Sequence, residues 1–211
     1  MKRMYSVITL LLISMIYISP ILAGECKDGD FKVCQNEARE GKAQAQYYLG
    51  DMYRRGQGTS QDYKKAVKWY KKAAQQGYAS AQGNLGIMYD DGLGVVQNDK
   101  QAVKWYSKAA NQGNALAQSN LGVMYEHGLG VSQDYRQAVK WYEKAANQDN
   151  AQAQYNLGVM HRDGLGVAQD NQQALKWYNK SANQGYAKAQ YNLGVMYEHG
   201  VSVSQNYKQA L

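Results

Sequence analysis

Hydrophobic residues along this chain recur with the spacing of amphipathic helices, and the helices come in pairs. In a representative segment the apolar positions fall at i, i+4, i+7 and i+8, on one face of a helix. They are Ala45, Leu49, Met52 and Tyr53. A second stripe of helical spacing begins at Tyr63. The pattern predicts two amphipathic helices joined by a turn.

The pair of helices recurs along the chain with a fixed period. Tryptophan marks it most clearly, because Trp69, Trp105, Trp141 and Trp177 follow one another at intervals of 36 residues. The period divides the chain into four full units, 43–78, 79–114, 115–150 and 151–186, and a partial unit, 187–211. One pair cannot bury its apolar stripe alone, whereas stacked pairs bury a continuous core. The sequence therefore predicts an all-α repeat protein.

Polar residues and glycines mark where the predicted helices begin and end. Each second helix follows an Asp or Asn that can accept hydrogen bonds from open backbone amides, namely Asp62, Asn98, Asp134, Asp170 and Asn206. Each first helix is expected to end at a glycine that recurs at Gly56, Gly92, Gly128, Gly164 and Gly200. Second helices end at Gly77, Gly113 and Gly185. In the third unit, Asp149 or Asn150 is expected to adopt the left-handed conformation instead, at some cost in stability.

A glycine also recurs in the middle of every first helix, where it costs about 1 kcal/mol relative to Ala. The positions are Gly50, Gly86, Gly122, Gly158 and Gly194. This recurrence indicates that the two helices of a pair approach closely there. Alanines of the second helix are the expected partners, namely Ala66, Ala102, Ala138, Ala174 and Ala210, with Trp and Tyr side chains filling the spaces between units.

The first 24 residues have the composition of a secretory signal peptide. Two basic residues precede an apolar stretch over 5–18, and small residues follow up to Gly24. This order predicts an exported protein, either periplasmic or secreted. An uncleaved N-terminal membrane anchor stays open, because the apolar run reaches about 19 residues if it crosses Pro20.

Residues 25–42 are expected to form an N-terminal capping segment and helix that contain both cysteines of the chain. An exported protein with two cysteines near its start is expected to pair Cys26 with Cys34. Eight positions along one helix span about 12 Å, too far for a disulfide. The bridge therefore requires a break at 28–30, with Cys26 in an extended segment and a helix beginning near Phe31. Two free thiols are the alternative.

Composition and charge exclude several classes of protein. The chain has 211 residues, of which 45% are hydrophobic and 19% charged, with a net charge of +7. This composition excludes a disordered chain, a collagen and a membrane protein with several spans. We expect no nucleic-acid partner, because the lysines lie mainly on the second helices between packed aromatics and the protein leaves the cytoplasm. A weak contact of this basic face with an anionic envelope surface stays open.

Catalytic motifs are missing from the sequence, so we expect no enzyme activity and no cofactor. Glycine pairs such as Gly128 and Gly130 follow helices rather than strands and are therefore turns, not phosphate-binding loops. No metal site is expected, since His127 and His199 lie two units apart. His161 stands where other units have Tyr and is interpreted as a substituted core aromatic.

One unit shows the residues by which the chain resembles a known family. The third unit contains AQSNLGVMY over 117–125, GLGV over 128–131, Tyr135, Ala138, Trp141-Tyr142 and KAA over 144–146. This pattern resembles the Sel1-like repeat, a relative of the tetratricopeptide repeat, from residue 43 onward. The resemblance implies a right-handed α-solenoid and a protein-binding adaptor. The chain is also similar to cysteine-rich Sel1-like proteins, but those carry a cysteine pair within each repeat.

The resemblance also implies where a ligand binds. If the first helices line the concave face, as in tetratricopeptide solenoids, three rows of side chains point into a groove. They are Asn84, Asn120, Asn156 and Asn192; Ile87, Val123, Val159 and Val195; and Tyr47, Tyr155 and Tyr191. Amides can pair with a peptide backbone while the apolar rows form pockets. Alternatively, the Asn row only ties neighbouring helices together.

Charged pairs at the ends of the first helices are further candidates for specificity, because they differ between units. They are Arg54-Arg55, Asp90-Asp91, Glu126-His127, Arg162-Asp163 and Glu198-His199. Of these residues, we predict that Glu126 and His127 also bind a ligand in the groove. The simpler interpretation is that these charged pairs are only helix ends exposed to solvent.

Together these features predict an exported scaffold that binds a protein or peptide in the groove, in an envelope function or in contact with a host. The alternative is an envelope enzyme or enzyme modulator that acts on peptidoglycan or β-lactams. The last unit stops at Leu211, inside its second helix, which leaves Leu193, Met196 and Tyr197 partly uncovered. Either the chain is a truncated copy of a longer array, or this end packs against a partner or a second copy. We expect a monomer, or weak self-association through the C-terminal end.

Overall fold

The computed structural model describes Cys26 and residues 30–201 as a row of helices with no strand in these ranges. The helices are α1 (Phe31–Arg39), α2 (Ala43–Arg55), α3 (Tyr63–Gln75), α4 (Ala79–Asp90), α5 (Asp99–Asn111), α6 (Ala115–His127), α7 (Tyr135–Ala146), α8 (Ala151–Asp163), α9 (Asn171–Asn183) and α10 (Ala187–His199). The predicted signal peptide, Asn206, Ala210 and the end of the partial unit lie outside the described residues.

Each helix packs against the helix before it and the helix after it in the chain. The pairs α2–α3, α4–α5, α6–α7 and α8–α9 correspond to the four full units, and α10 is the first helix of the fifth. Helix α1 precedes the repeats and packs against α2. First helices of successive units also touch, as α4 and α6 do. The architecture is the α-solenoid predicted from the 36-residue period.

The predicted helix starts and stops are confirmed within the described residues. Asp62, for example, accepts a hydrogen bond from the backbone N–H of Lys65 at 2.9 Å, and Asn98, Asp134 and Asp170 cap the later second helices in the same way. Four first helices end at a left-handed glycine, Gly56, Gly128, Gly164 or Gly200. Helix α4 ends slightly earlier, ahead of the left-handed Gly92. Asp149 takes the left-handed conformation expected in the third unit, with φ 58°.

The mid-helix glycines do make room for a close approach, but the predicted partner was wrong. A β-carbon at Gly50 would meet the ring of Tyr70, not an alanine. The same contact joins Gly86 to Tyr106, Gly122 to Tyr142 and Gly158 to Tyr178. A flat aromatic ring can lie this close only to a helix surface that has no β-carbon. Packing against the alanines of the second helix would not require a glycine. The four tyrosines are buried at 0 to 1% exposure.

Successive units are joined at the glycine-rich turns. In the second to fourth units, the second glycine of the turn lies against the start of the preceding unit's second helix, so that a β-carbon at Gly130 would come 2.5 Å from the backbone of Asp99. Gly166 meets Tyr135 in the same way. The prediction that these glycine pairs are turns is confirmed, and the turns also serve as packing surfaces between units.

A row of buried glutamines, which the sequence pattern did not single out, also connects the units. The Gln118 side chain donates to the carbonyl of Ala110, at the end of the preceding unit, at 3.0 Å. Its own carbonyl accepts from Gln148, at the end of its own unit, at 2.7 Å. Gln46, Gln82 and Gln154 make the same two bonds. Since buried polar groups need partners, this row fixes the register between units.

The predicted disulfide is present. Cys26 and Cys34 are bonded, with their Cα atoms 4.3 Å apart. Helix α1 begins at Phe31, as expected, and the Asp30 carboxylate caps its start. Cys26 itself lies in a 3₁₀ turn rather than in the extended segment that was expected.

Candidate functional site

An open cleft of about 370 Å³ lies on the row of first helices. All of its lining residues come from α2, α4 and α6, and no second helix contributes. The lining residues are Tyr47, Asp51, Arg54, Arg55, Asn84, Ile87 and Leu116. Because three consecutive units contribute, a segment that occupies this cleft would run across the units.

The cleft brings together three of the residues predicted to bind a ligand, Tyr47, Asn84 and Ile87. It also contains Asp51 and Leu116, which the sequence analysis did not single out. Leu116 is 44% exposed and so offers apolar surface to a ligand in the cleft. Asp51 could have been found by comparing the units, because the later units have Ile or Val at the equivalent position.

The other predicted groove residues lie elsewhere on the first helices, outside this cleft. Most are half-buried, whereas His127 and Tyr191 are exposed. The half-buried ones are Asn120, Val123 and Glu126 on α6, Tyr155, Asn156 and Val159 on α8, and Asn192 and Val195 on α10. The ring of Tyr155 packs against Tyr178 and Tyr186, with centroid distances of 5.8 and 5.4 Å.

The hydroxyls of the buried tyrosines point toward the ends of the first helices. Tyr70 donates to Asp51 and Tyr106 donates to Asp90, each at 3.1 Å. Tyr142 donates to Glu126 at 2.5 Å. Burial is the main cause that raises the pKa of each hydroxyl above its ordinary value. These three hydroxyls thus remain protonated donors, each bound to a carboxylate.

The asparagine row contacts these same tyrosines. The Asn84 side chain interacts with the hydroxyl of Tyr70, in the preceding unit, and lowers its pKa. Asn120 and Asn156 act in the same way on the next two tyrosines. These interactions favour the structural interpretation of the asparagine row, in which it ties neighbouring units together. Asn84 in addition lines the cleft.

Asp51 is the centre of a charged cluster at one end of the cleft. Its Oδ1 accepts from Arg54 Nη2 at 2.6 Å, and its Oδ2 pairs with Arg55 Nε at 2.7 Å. The Tyr70 hydroxyl donates to the same Oδ1, so the carboxylate is held from three sides. Charge-assisted bonds of this kind position a side chain rigidly.

The basic residues of the second helices cover the tryptophans. The ammonium of Lys144 lies 4.3 Å from the centre of the Trp141 ring. Lys72, Lys108 and Lys180 lie 4.7 to 4.8 Å from the tryptophans of the other units. Each pair is three residues apart on one helix, the spacing at which side chains meet. Much of the positive charge is therefore placed over tryptophan rings on this face.

Within Cys26 and 30–201, no group of three His, Cys, Asp or Glu side chains is placed to hold a metal ion. In the same ranges, no helix combines the length and the apolar character needed to cross a bilayer.

Solved structures include several that resemble this chain. A protective antigen of uropathogenic Escherichia coli with an SLR fold is 39% identical, with a TM-score of 0.81 over 86% of this chain. The alignment covers only 40% of that protein, so the present chain spans well under half of its length. A Sel1 repeat protein from Oxalobacter formigenes is 34% identical, with a TM-score of 0.79, over 85% of this chain and 72% of that one.

The family profile described as Sel1 repeat matches nearly the whole described structure, over residues 43–78, 79–114, 115–150, 151–186 and 187–211. No significant similarity to a curated protein was found. A Sel1 repeat protein from Klebsiella pneumoniae, 24% identical with a TM-score of 0.58 over 85% of this chain and 88% of its own, shares the fold. From these five matched repeats and the solenoid that they form, the chain belongs to the Sel1 repeat family.

Proposed function

We propose that this protein is an exported scaffold that binds a segment of a partner protein along its first helices. Sel1 repeats generally build protein-interaction scaffolds. The observation that carries the proposal is the cleft formed by α2, α4 and α6, because it combines an exposed apolar residue, Leu116, with the charged cluster around Asp51. Binding sites for peptides commonly combine apolar pockets with polar groups that set orientation.

The proposed setting is an oxidising compartment outside the cytoplasm. The Cys26–Cys34 disulfide supports this, since such bonds persist in secreted and periplasmic proteins and are rare in reducing compartments. The predicted signal peptide agrees with it. A role in envelope function or in contact with a host is part of the proposal, and so is a weak contact of the basic second-helix face with an anionic envelope surface.

Photo-crosslinking would test the proposed binding surface. A photoreactive amino acid at Leu116 is expected to capture a discrete partner from an envelope or host-cell extract. The same group at Val96, which is 87% exposed in the turn between α4 and α5, is the matched control. Crosslinks of equal yield and identity from both positions would contradict the proposal.

A pair of charge substitutions gives an independent test. Leu116→Asp is expected to abolish capture of the partner, because it places a charge in the cleft without disturbing the core. Val96→Asp is expected to leave capture unchanged. Circular dichroism would confirm that both variants keep the helicity of the parent protein. Retained capture by Leu116→Asp would show that the partner binds elsewhere.

A further inference from the structure

The edge of the cleft carries a net positive charge in the first unit. Arg54 and Arg55 both pair with Asp51, so two guanidinium groups share one carboxylate. The same carboxylate also accepts the hydroxyl of Tyr70. Both arginines line the cleft. One positive charge of this cluster is therefore left for a partner to compensate.

Arg55 is the more accessible of the two arginines and lies where two clefts meet. Its side chain is 55% exposed, and its Nε pairs with Asp51 at 2.7 Å. A guanidinium has five N–H donors, so Arg55 can bind a second carboxylate without leaving Asp51. Another open cleft, of about 620 Å³, also has Arg55 in its wall and extends to Cys26 and Gly58. Because the groove continues on both sides of Arg55, a bound segment would reach it with a side chain rather than with a chain terminus.

The edge of the cleft is negative in the next unit. Asp90 and Asp91 occupy the positions equivalent to the two arginines. They follow Ile87, which lines the cleft, by three and four positions, and therefore lie one turn further along the same side of α4. Asp91 is exposed and Asp90 half-buried. The hydroxyl that Tyr106 donates to Asp90 is neutral and leaves the negative charge in place.

No basic side chain within the described ranges forms an ion pair with these acidic residues. This holds for Asp90 and Asp91, and for Glu126, which follows at the equivalent position on α6. In the fourth unit, by contrast, Arg162 and Asp163 pair with each other at 2.7 Å. The opposite net charges therefore lie on the three helices that form the cleft, α2, α4 and α6.

We propose that the partner segment bound in the cleft is itself dipolar. Its acidic side chain binds Arg55, and its basic side chain binds Asp90 and Asp91. An apolar side chain between them contacts Ile87 and Leu116. The inference rests on the proposed function and adds the chemistry of the partner, because complementary charges select a partner and set its orientation.

The distance between the units predicts the spacing of the two charges in the partner. Neighbouring packed helices lie about 8 to 10 Å apart. An extended segment of polyproline type has three residues per turn and rises about 3.1 Å per residue, so side chains three positions apart point the same way at about 9 Å. We therefore expect two residues between the acidic and the basic residue of the partner.

Short peptides test the inference without knowledge of the partner. The dipolar probe is acetyl-Gly-Glu-Leu-Val-Lys-Gly-amide, and three control peptides carry two Glu, two Lys or two Gln at its charged positions. NMR follows the methyl signals of Leu116 in the purified protein. We expect saturable binding of the dipolar probe with a Kd in the millimolar range, about three- to tenfold tighter than each control, because each exposed ion pair contributes a factor of a few.

Nonspecific attraction would give a different order of affinities. A protein with a net charge of +7 would then bind the peptide with two Glu most tightly. Binding of any control peptide as tight as that of the dipolar probe would overturn the inference. The absence of a saturable shift at Leu116 would overturn it as well.

Charge substitutions make the test specific to the two ends of the cleft. Arg55→Glu is expected to change the preference to the peptide with two Lys. Asp91→Lys is expected to remove the preference for the dipolar probe over the peptide with two Glu. The matched controls are Lys68→Glu and Glu143→Lys, at exposed positions on second helices, and both should keep the original preference. An unchanged preference in Arg55→Glu and Asp91→Lys, with helicity retained by circular dichroism, would contradict the proposed contacts.

The outcome is separate from that of the proposed function. If Leu116→Asp abolishes partner capture but the dipolar probe has no advantage over its controls, only the dipolar partner is wrong. If the dipolar probe binds with the expected preference and partner capture does not depend on Leu116, the charge selectivity of the cleft stands and its role in partner capture does not.

Discussion

The ring of Tyr142 lies directly on the backbone of Gly122, so closely that a β-carbon at Gly122 would come within 2.5 Å of a ring carbon. The glycine is on α6 and the tyrosine on α7, the two helices of one pair. The ring fills the interface between them, and its hydroxyl reaches Glu126 near the end of α6. This contact explains why a residue that is unfavourable in a helix recurs in every unit.

Gly122→Ala should therefore destabilise the protein despite the better helix propensity of Ala. Overpacking a core costs about 1 to 3 kcal/mol, and the propensity gain returns about 1 kcal/mol, so we expect a net loss of up to about 2 kcal/mol. Gly83→Ala is the matched control, because its β-carbon would have no atom closer than 3.6 Å. Urea unfolding should show stabilisation by Gly83→Ala and destabilisation by Gly122→Ala; the same sign for both would refute the packing argument.

Removing a tyrosine hydroxyl should have opposite consequences in the third and fourth units. Tyr142→Phe removes a charge-assisted hydrogen bond to Glu126, and we expect a loss of about 1.5 to 3 kcal/mol. Tyr178→Phe removes a donor that has no acceptor in the described part of the chain, so the free energy of unfolding of this variant should stay the same or increase. Thermal and urea unfolding of the two variants would measure the difference. Equal losses would mean that the Tyr178 hydroxyl is satisfied in solution.

Alkaline pH should unfold the protein through the same tyrosines. Burial raises the pKa of Tyr70, Tyr106 and Tyr142, and raises that of Tyr178 to about 12. A group whose pKa is raised by folding stabilises the fold fully below its unfolded pKa, about 10 for Tyr. This contribution is lost as the pH rises from about 10 toward the folded values.

Parallel measurement of tyrosinate absorbance and helical circular dichroism would test this pH dependence. Part of the absorbance change should coincide with the loss of helicity above about pH 10. A titration in which all 19 tyrosines ionise while helicity is retained would contradict it.

The left-handed Asp149 should be a site where stability can be gained. Asp149→Gly relieves the steric cost of φ 58° and is expected to stabilise the protein by about 1 kcal/mol. This corresponds to an increase in Tm of roughly 2 to 4 °C. The reverse change in the second unit, Gly113→Asp, at φ 90°, should lower Tm by at least as much. Differential scanning calorimetry would measure both, and a lower Tm for Asp149→Gly would show that the Asp side chain stabilises the turn.

Reduction of the Cys26–Cys34 bond should loosen the N-terminal end of the solenoid and leave the later units intact. A loop of this length contributes about 2 to 3 kcal/mol. Hydrogen exchange of α1 should therefore accelerate after reduction or in the Cys26→Ser/Cys34→Ser variant, while exchange of α6 and α7 stays the same. Intact mass with and without reduction before alkylation provides the control that the bond forms in the purified protein. Unchanged exchange in α1 would show that packing against α2 alone holds it.

Several features of the fold could be predicted because they depend on residues close together in sequence. Helix caps such as Asp62 act on backbone groups three residues away, and a left-handed glycine such as Gly56 ends the helix next to it. The disulfide could be predicted from the export signal and the two cysteines near the start of the chain, although the conformation of Cys26 could not. The cleft was predictable only in part, since Asn84 and Ile87 follow the repeat whereas Asp51 departs from it.

The sequence by itself determined the period, the pairing of helices and the ends of each helix, because local backbone chemistry repeated every 36 residues is sufficient to specify them. Only the tertiary structure decided which side chains meet between helices. The partners of Gly122 and Gln118 lie 8 to 30 positions away, and the Tyr178 hydroxyl has no hydrogen-bond partner among the described residues. Helical periodicity does not distinguish a tyrosine from an alanine on the same buried face. Those contacts depend on how closely two helices approach and on the room that remains between them, and both are settled only when the helices pack.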